Sequence, residues 1–309
     1  MVTHFLSQGD FTADQIGALF ERSASLKPNR SSNELQGRTL VMFFEKASTR
    51  TRLSFEIGMT QLGGHAVYLD RDSSQLSRGE SIEDTALVVS RYADLLMARV
   101  FSHETISTLA KYSTIPVING LSDAEHPCQS MADLFTMWEH KGHVKELRIA
   151  YVGDGNNNVA HSLLLGASML GAHLSVASPP SLQPESEVVD AAEINSEATG
   201  GSVTITHDPK AAVEGADVIY TDVWVSMGRE HEQEERLRAL RPYQVNAALS
   251  RRARPDFVFM HCLPAHAGQE VTSEVLYGEH SVVFDQAENR LHVQKAIMLY
   301  LNECAAGGA

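Results

Sequence analysis

Short apolar runs alternate with stretches of helical period along nearly the whole chain. The runs at 39–44, 66–69, 95–98 and 116–118 are continuous rather than alternating, the pattern of strands buried on both faces. Helical patterns lie between them at 49–62, 82–92 and 103–112. A second series of strand-like runs follows at 148–152, 174–177, 202–206, 217–221, 257–261 and 281–284, again mostly separated by helical patterns. This alternation predicts an α/β protein of two doubly wound domains with parallel sheets, joined by crossing helices. The first domain is expected over 1–135, with a C-terminal helix at about 288–309 docking back on it, and the second over 136–287. Thr12 followed by Gln15 predicts a capping box at the start of the opening helix.

Charge narrows the partners. The 309 residues carry 39 acidic and 25 basic side chains, a net −14. Such a surface repels nucleic acid and anionic membrane, so an anionic ligand needs a local basic pocket. The stretch 155–184 lacks Asp, Glu, Lys and Arg, but its asparagines, histidines and Pro-Pro break it into a helix, a turn and a strand rather than a membrane span. The N-terminus has neither a basic n-region nor an apolar h-region. The three cysteines form no C-x-x-C pair, which points to a reducing, cytoplasmic setting.

Four segments carry chemistry. At the end of the first strand, Ser48-Thr49-Arg50-Thr51-Arg52 opens a helix. A helix start presents unpaired N–H groups and positive dipole character, and hydroxyls with arginines there make a phosphate site. An ordinary Ser/Thr cap with exposed arginines is the plainer alternative. His126-Pro127-Cys128-Gln129 precedes another helix, and His261-Cys262-Leu263-Pro264 ends a buried strand. Two His/Cys pairs invite a zinc reading, but neither has the usual ligand spacing. Cys128 alone reads as a small buried hydrophobe. Gly153-Asp154-Gly155-Asn156-Asn157-Asn158 invites a dinucleotide reading, which fails on the missing third glycine and on the absence of an acidic residue after the next strand. Asn157 and Asn158 could instead bind a carboxylate, or merely cap the helix. Asp222, at another strand end, suits a substrate ammonium. The Ser226-Met227-Gly228 piece after it reads as a loop with the character of a lid, and the charged stretch 229–241 as solvated surface.

In this order, from Lys46 to Arg290, these segments resemble the carbamoyltransferase family. Within it Cys128, Cys262 and Ser226-Met227-Gly228 are similar to the ornithine carbamoyltransferases rather than the aspartate or putrescine branches. The resemblance implies carbamoyl phosphate and L-ornithine as substrates, L-citrulline and phosphate as products, arginine synthesis in most organisms, and no cofactor or metal. It implies Ser48, Thr49, Arg50, Thr51, Gln75, Arg99, His126, Gln129, Cys262, Leu263 and Arg290 around carbamoyl phosphate, with Gln75 reaching a neighbouring subunit's site. A homotrimer, or a multiple of one, follows from that sharing. Asn158, Asp222, Ser226 and Met227 are implied around ornithine, and Arg50, His126, Asp222 and Cys262 as the catalytic set. Another acceptor amine, or a catalytically silent relative, stands as the alternative; the intact Arg50, His126, Asp222 and Cys262 weigh against the second.

Overall fold

The computed structural model describes residues 2–225 and 233–307. The chain divides into two compact units, Met1–Ala132 with Glu288–Ala309, and Asp133–Ala287. The division falls inside two helices, α5 (Pro127–Lys141) and α12 (Val283–Gly307).

The first unit holds a four-stranded parallel sheet of order β2-β1-β3-β4, built from β1 (Thr39–Phe44), β2 (His65–Asp70), β3 (Leu95–Arg99) and β4 (Val117–Leu121). Helices α2 (Thr49–Gln61), α3 (Ile82–Val89) and α4 (His103–Tyr112) connect the strands, after an opening α1 (Ala13–Leu26). The expected Thr12–Gln15 capping box closes α1, each side chain bonding the other's backbone N–H. Caps of this kind stabilise a helix by about 1 kcal/mol. Val41, Phe43, Leu96, Ala98 and Val117 pack with Ile106 and Leu109 into one apolar cluster, so the inner strands have no solvent face. Chain order reverses beside β1, because β2 lies on one side of it and β3 on the other. The carboxyl ends of β1 and β3 therefore form a topological switch point, the usual ligand position in an open α/β sheet.

The second unit repeats the plan with five parallel strands of order β7-β6-β5-β8-β9: β5 (Arg148–Val152), β6 (His173–Ala177), β7 (Ser202–Thr206), β8 (Val218–Thr221) and β9 (Val258–His261). Helices α6 (Asn158–Met169), α7 (Ser186–Thr199), α8 (Pro209–Val213), α9 (Gln233–Leu240), α10 (Ala247–Ser250) and α11 (Ser273–Leu276) complete it. Its core joins Ala150, Val152, Ile219, Phe259 and Val271. Here the switch point lies between β5 and β8.

Two sequence expectations change. The run 281–284 is not a strand. Ser281 makes a single parallel bridge to Phe259, and α12 starts at Val283. Both ladder groups of Phe259 on that side are met by His280 and Val282, so one bridge satisfies the edge and the chain is free to coil. The stretch 229–241 is not simply solvated either: Arg236 is buried, as described below. No helix among the described residues is long and apolar enough to cross a membrane.

Candidate functional site

In the first unit α2 opens directly beyond β1. Ser48 is its N-cap, with its hydroxyl accepting from Thr51 N–H at 3.4 Å and lying 3.1 Å from the Thr51 hydroxyl. Thr51 is buried, while Thr49 is exposed and Arg50 half-buried. Arg52 turns away, paired with Glu56 and stacked 4.2 Å over the Tyr68 ring. Arg99 ends β3 across the switch point, buried, with its carbonyl accepting from Glu45 N–H at 2.9 Å. His126 and Gln129, at the start of α5, are buried beside Arg290 of α12. Arg290 Nη1 donates to Gln129 Oε1 at 2.6 Å and lies 3.5 Å from His126 Nε2. Arg290 Nη2 is 3.4 Å from the Thr51 hydroxyl.

Electrostatics follow from this crowding of cations. Burial, then the charges of Arg290, Arg99 and Arg50, hold the His126 pKa well below the ordinary histidine value. The ring is therefore neutral at physiological pH and offers one N–H donor. Burial and Arg99 also lower the Lys46 pKa. Arg290 links His126 to Thr51, and the charge of Arg99 acts on His126, so the start of α2 stands in a positive, buried setting. Gln75 is elsewhere in this unit, exposed in a 3₁₀ turn (Gln75–Arg78) after β2.

Cys128 takes the plainer of its readings. Its buried thiol donates to the Asn119 carbonyl at 3.3 Å, and burial pushes its pKa up to about 12. A zinc ligand must be a thiolate, so this environment does not fit a metal. Cys128→Ala is expected to cost roughly 1 kcal/mol of stability, read as a shift in the urea midpoint.

In the second unit the loop after β5 explains the partial glycine fingerprint. Gly153 has φ of +140°, open to glycine but not to other residues. A Cβ on Gly155 would sit 2.9 Å from the Leu182 carbonyl and 2.9 Å from the Pro184 ring, so the close approach of the chain accounts for this glycine. Between them Asp154, buried, pairs with Arg236 of α9. Arg236 Nε also donates to the Trp224 carbonyl at 3.0 Å. Asn157 takes the capping alternative: its Oδ1 accepts from Val159 and Ala160 N–H, and its amide donates to the Tyr151 hydroxyl and the Asp154 carbonyl. Asn158, the first residue of α6, is half-buried and not the cap.

Across the switch point Asp222 is buried and accepts from Val223 N–H at 2.7 Å. Its Oδ1 also accepts from the Cys262 thiol at 3.0 Å. Behind them lies a dry polar network that sequence reading missed. Gln286 accepts from His261 N–H at 2.9 Å and donates to Asp133 at 2.7 Å, and the Tyr220 hydroxyl donates to the same carboxylate at 3.0 Å. Burial and nearby carboxylates, Asp222 beside Tyr151 and Asp133 beside Tyr220, keep both phenols protonated. The bend at Leu263, with φ of +57°, is held by Leu263 N–H donating to His261 Nδ1 at 2.9 Å. The other ring nitrogen of His261 faces Glu270 at 3.3 Å. Asp222, His261 and Cys262 place ligand atoms within 4.8 Å of one another, with His261 Nδ1 already accepting from Leu263 N–H and the Cys262 thiol donating to Asp222. Ser226, Met227 and Gly228 lie outside the described residues.

Two switch points thus define the class: a doubly wound α/β protein with an anion cradle in one unit and a carboxylate–thiol pair beside an asparagine helix start in the other. Residues 3–139 match the carbamoyl-P binding domain of aspartate/ornithine carbamoyltransferase, and residues 145–301 match its Asp/Orn binding domain. The chain belongs to the aspartate/ornithine carbamoyltransferase family. It is 54% identical to an anabolic ornithine carbamoyltransferase of Pyrococcus furiosus, over 94% of this chain and 93% of that one. It is 52% identical to the ornithine carbamoyltransferase of Bacillus subtilis, over 95% of this chain and 92% of the other. A solved ornithine carbamoyltransferase structure from Pyrococcus furiosus superposes with a TM-score of 0.93 at 52% identity, covering 96% of each chain.

Proposed function

We propose that the protein transfers the carbamoyl group of carbamoyl phosphate to the δ-amine of L-ornithine, giving L-citrulline and phosphate for arginine biosynthesis. The observation that carries this is the convergence of Arg290 with Thr51, His126 and Gln129 beside the start of α2. It supports an anion with an activated carbonyl as the first substrate.

In this reading the first unit binds carbamoyl phosphate. The phosphate meets the α2 start through Ser48, Thr49, Arg50 and Thr51, with Arg99 supplying further positive charge. Thr51, Arg99 and neutral His126 donate to the carbonyl oxygen, whose charge grows as the tetrahedral centre forms. Gln129 and Arg290 hold the carbamoyl group. Ornithine binds in the second unit, its carboxylate on the Asn158 amide and its α-ammonium on Asp222 and Ser226, with Met227 backbone groups assisting. Asn157 being the cap supports Asn158 as the carboxylate contact. The δ-ammonium, whose ordinary pKa is about 10.4, gives one proton to solvent as burial lowers that pKa, and the free amine attacks the carbonyl carbon. The C–N bond forms, the C–O bond to phosphate breaks, and the departing phosphate takes the second proton from the new carbamoyl nitrogen. Cys262, hydrogen-bonded to Asp222, orients the amine and carries no carbamoyl group itself.

Formation of the carbamoylated product, citrulline in the case of ornithine, with ornithine, putrescine and aspartate offered in parallel tests the assignment. Turnover on ornithine alone is expected; turnover on another amine moves the acceptor, and no turnover overturns the reading.

The working assembly is a homotrimer, or a multiple of one, in the cytoplasm. Leu53 and Ile57 on α2 are exposed and line a groove of about 540 Å³, and edge strand β2 exposes Val67. Such an apolar face supports a second copy of this chain as its cover. Exposed Gln75 is then available to a neighbour's phosphate. Leu53→Glu with Ile57→Glu is expected to give monomers by light scattering and to remove at least about nine-tenths of the activity, since a shared site is lost.

A further inference from the structure

Arg290 is held on a second side by a residue that no motif marked. Gln294 lies one helical turn further along α12 and is fully buried, on the far side of Arg290 from Gln129 in the contacts it makes. With its amide assigned the orientation that the surrounding donors require, its carbonyl accepts from Arg290 Nη2 at 2.9 Å and from Arg290 Nε at 3.0 Å. Its amide nitrogen donates to the Ser54 hydroxyl at 2.5 Å. Ser54 in turn donates to the carbonyls of Arg50, at 2.7 Å, and Thr51, at 3.2 Å. One side chain therefore joins the Arg290 guanidinium to the backbone of the α2 turn that carries the phosphate residues.

The chemistry of the acceptor matters as much as its position. Two N–H groups converging on one oxygen fix the guanidinium plane. A carboxylate in this place would fix it more strongly, but it would also cancel charge that an anionic ligand uses. An amide carbonyl orients without neutralising. We propose that Gln294 is a positioning residue for carbamoyl phosphate: it sets the plane of Arg290 against the α2 start and leaves the arginine's positive charge for the substrate. This rests on the reading above that Arg290 contacts carbamoyl phosphate.

The test compares Gln294→Glu, Gln294→Met and Arg290→Gln in the full-length protein. Kinetics on both substrates are followed between pH 6 and 9, with a thermal melt of each variant. Gln294→Glu changes no volume and is expected to raise KM for carbamoyl phosphate roughly tenfold or more while KM for ornithine moves less than about twofold. That penalty should persist unchanged across this pH range, because the Arg290 guanidinium holds the introduced carboxyl ionised. Gln294→Met removes the acceptor without adding charge, so its KM increase is smaller. A merely structural role would lower the melting midpoint and disturb both KM values alike, and would overturn the proposal. So would a carbamoyl phosphate KM within about twofold of the parent in Gln294→Glu or, should that variant not fold, in Gln294→Met. An Arg290→Gln variant that binds carbamoyl phosphate as the parent does would instead sink the assignment of Arg290. An impaired Arg290→Gln beside a normal Gln294→Glu sinks only the role of Gln294.

Discussion

His126→Ala is expected to lower kcat by roughly 10²–10³-fold with little change in the KM for ornithine, the cost of losing one donor to a developing oxyanion. The residue is buried among Arg50, Arg99 and Arg290, which with burial keep the imidazole neutral. A neutral ring donates one hydrogen bond; it is not an acid. His126→Asn, which keeps an N–H donor, should recover part of the loss, and kcat/KM should show no acidic limb near the ordinary histidine pKa of about 6.5. The same lowered pKa fixes the sign of a stability effect. Below about pH 6.5 the unfolded chain protonates this histidine and the folded chain does not, until the folded pKa is reached. Stability is therefore lost as the pH falls through about 6.5, by up to about 1.4 kcal/mol per pH unit, and the histidine contributes nothing above that window. Urea midpoints of parent and His126→Asn across pH 4.5–8 should diverge only on the acid side, with the parent the steeper. Equal slopes would mean that the ring protonates in the folded state as readily as in the unfolded chain.

Arg236→Met should cost about 3–5 kcal/mol of unfolding free energy, since it leaves the buried Asp154 carboxylate without its cation. The function is hit as well. Arg236 Nε holds the Trp224 carbonyl, and Trp224 stands two residues before Ser226. The KM for ornithine should rise roughly tenfold or more, while the KM for carbamoyl phosphate, bound by the other unit, stays within about twofold. Asp154→Asn combined with Arg236→Met removes both charges and should destabilise less than the sum of the single changes. Strict additivity in that cycle would show that the two side chains do not interact.

Much of the fold was legible because buried parallel strands are continuous apolar runs. Strand β7 (Ser202–Thr206), helix α4 (His103–Tyr112) and the capping box at Thr12 all stand where periodicity and cap chemistry put them. The misread run 281–284 has the same apolar character as a strand, and only the single edge bridge to Phe259 decides that the chain turns into α12 there. Periodicity cannot make that distinction, because a four-residue apolar run fits either state. Arg236 was hidden for the reverse reason: a charged stretch looks solvated until its partner, 82 residues away at Asp154, is brought to it.

The chemistry divides along the same line. The placement of Ser48-Thr49-Arg50-Thr51 after one strand, and of Asp222 and Cys262 after two others, was legible in the sequence alone, since position after a strand depends on local order. Residue type alone did not separate Asn157 from Asn158, and only the family resemblance chose Asn158; the tertiary structure gave the cap to Asn157, whose side chain is consumed by four local bonds. Only the tertiary structure could show that His126 is neutral, that Cys128 is an inert thiol, and that Gln294 reaches Arg290 and Ser54. A pKa and a hydrogen-bond partner depend on which groups meet across long stretches of chain, and that proximity is a property of packing.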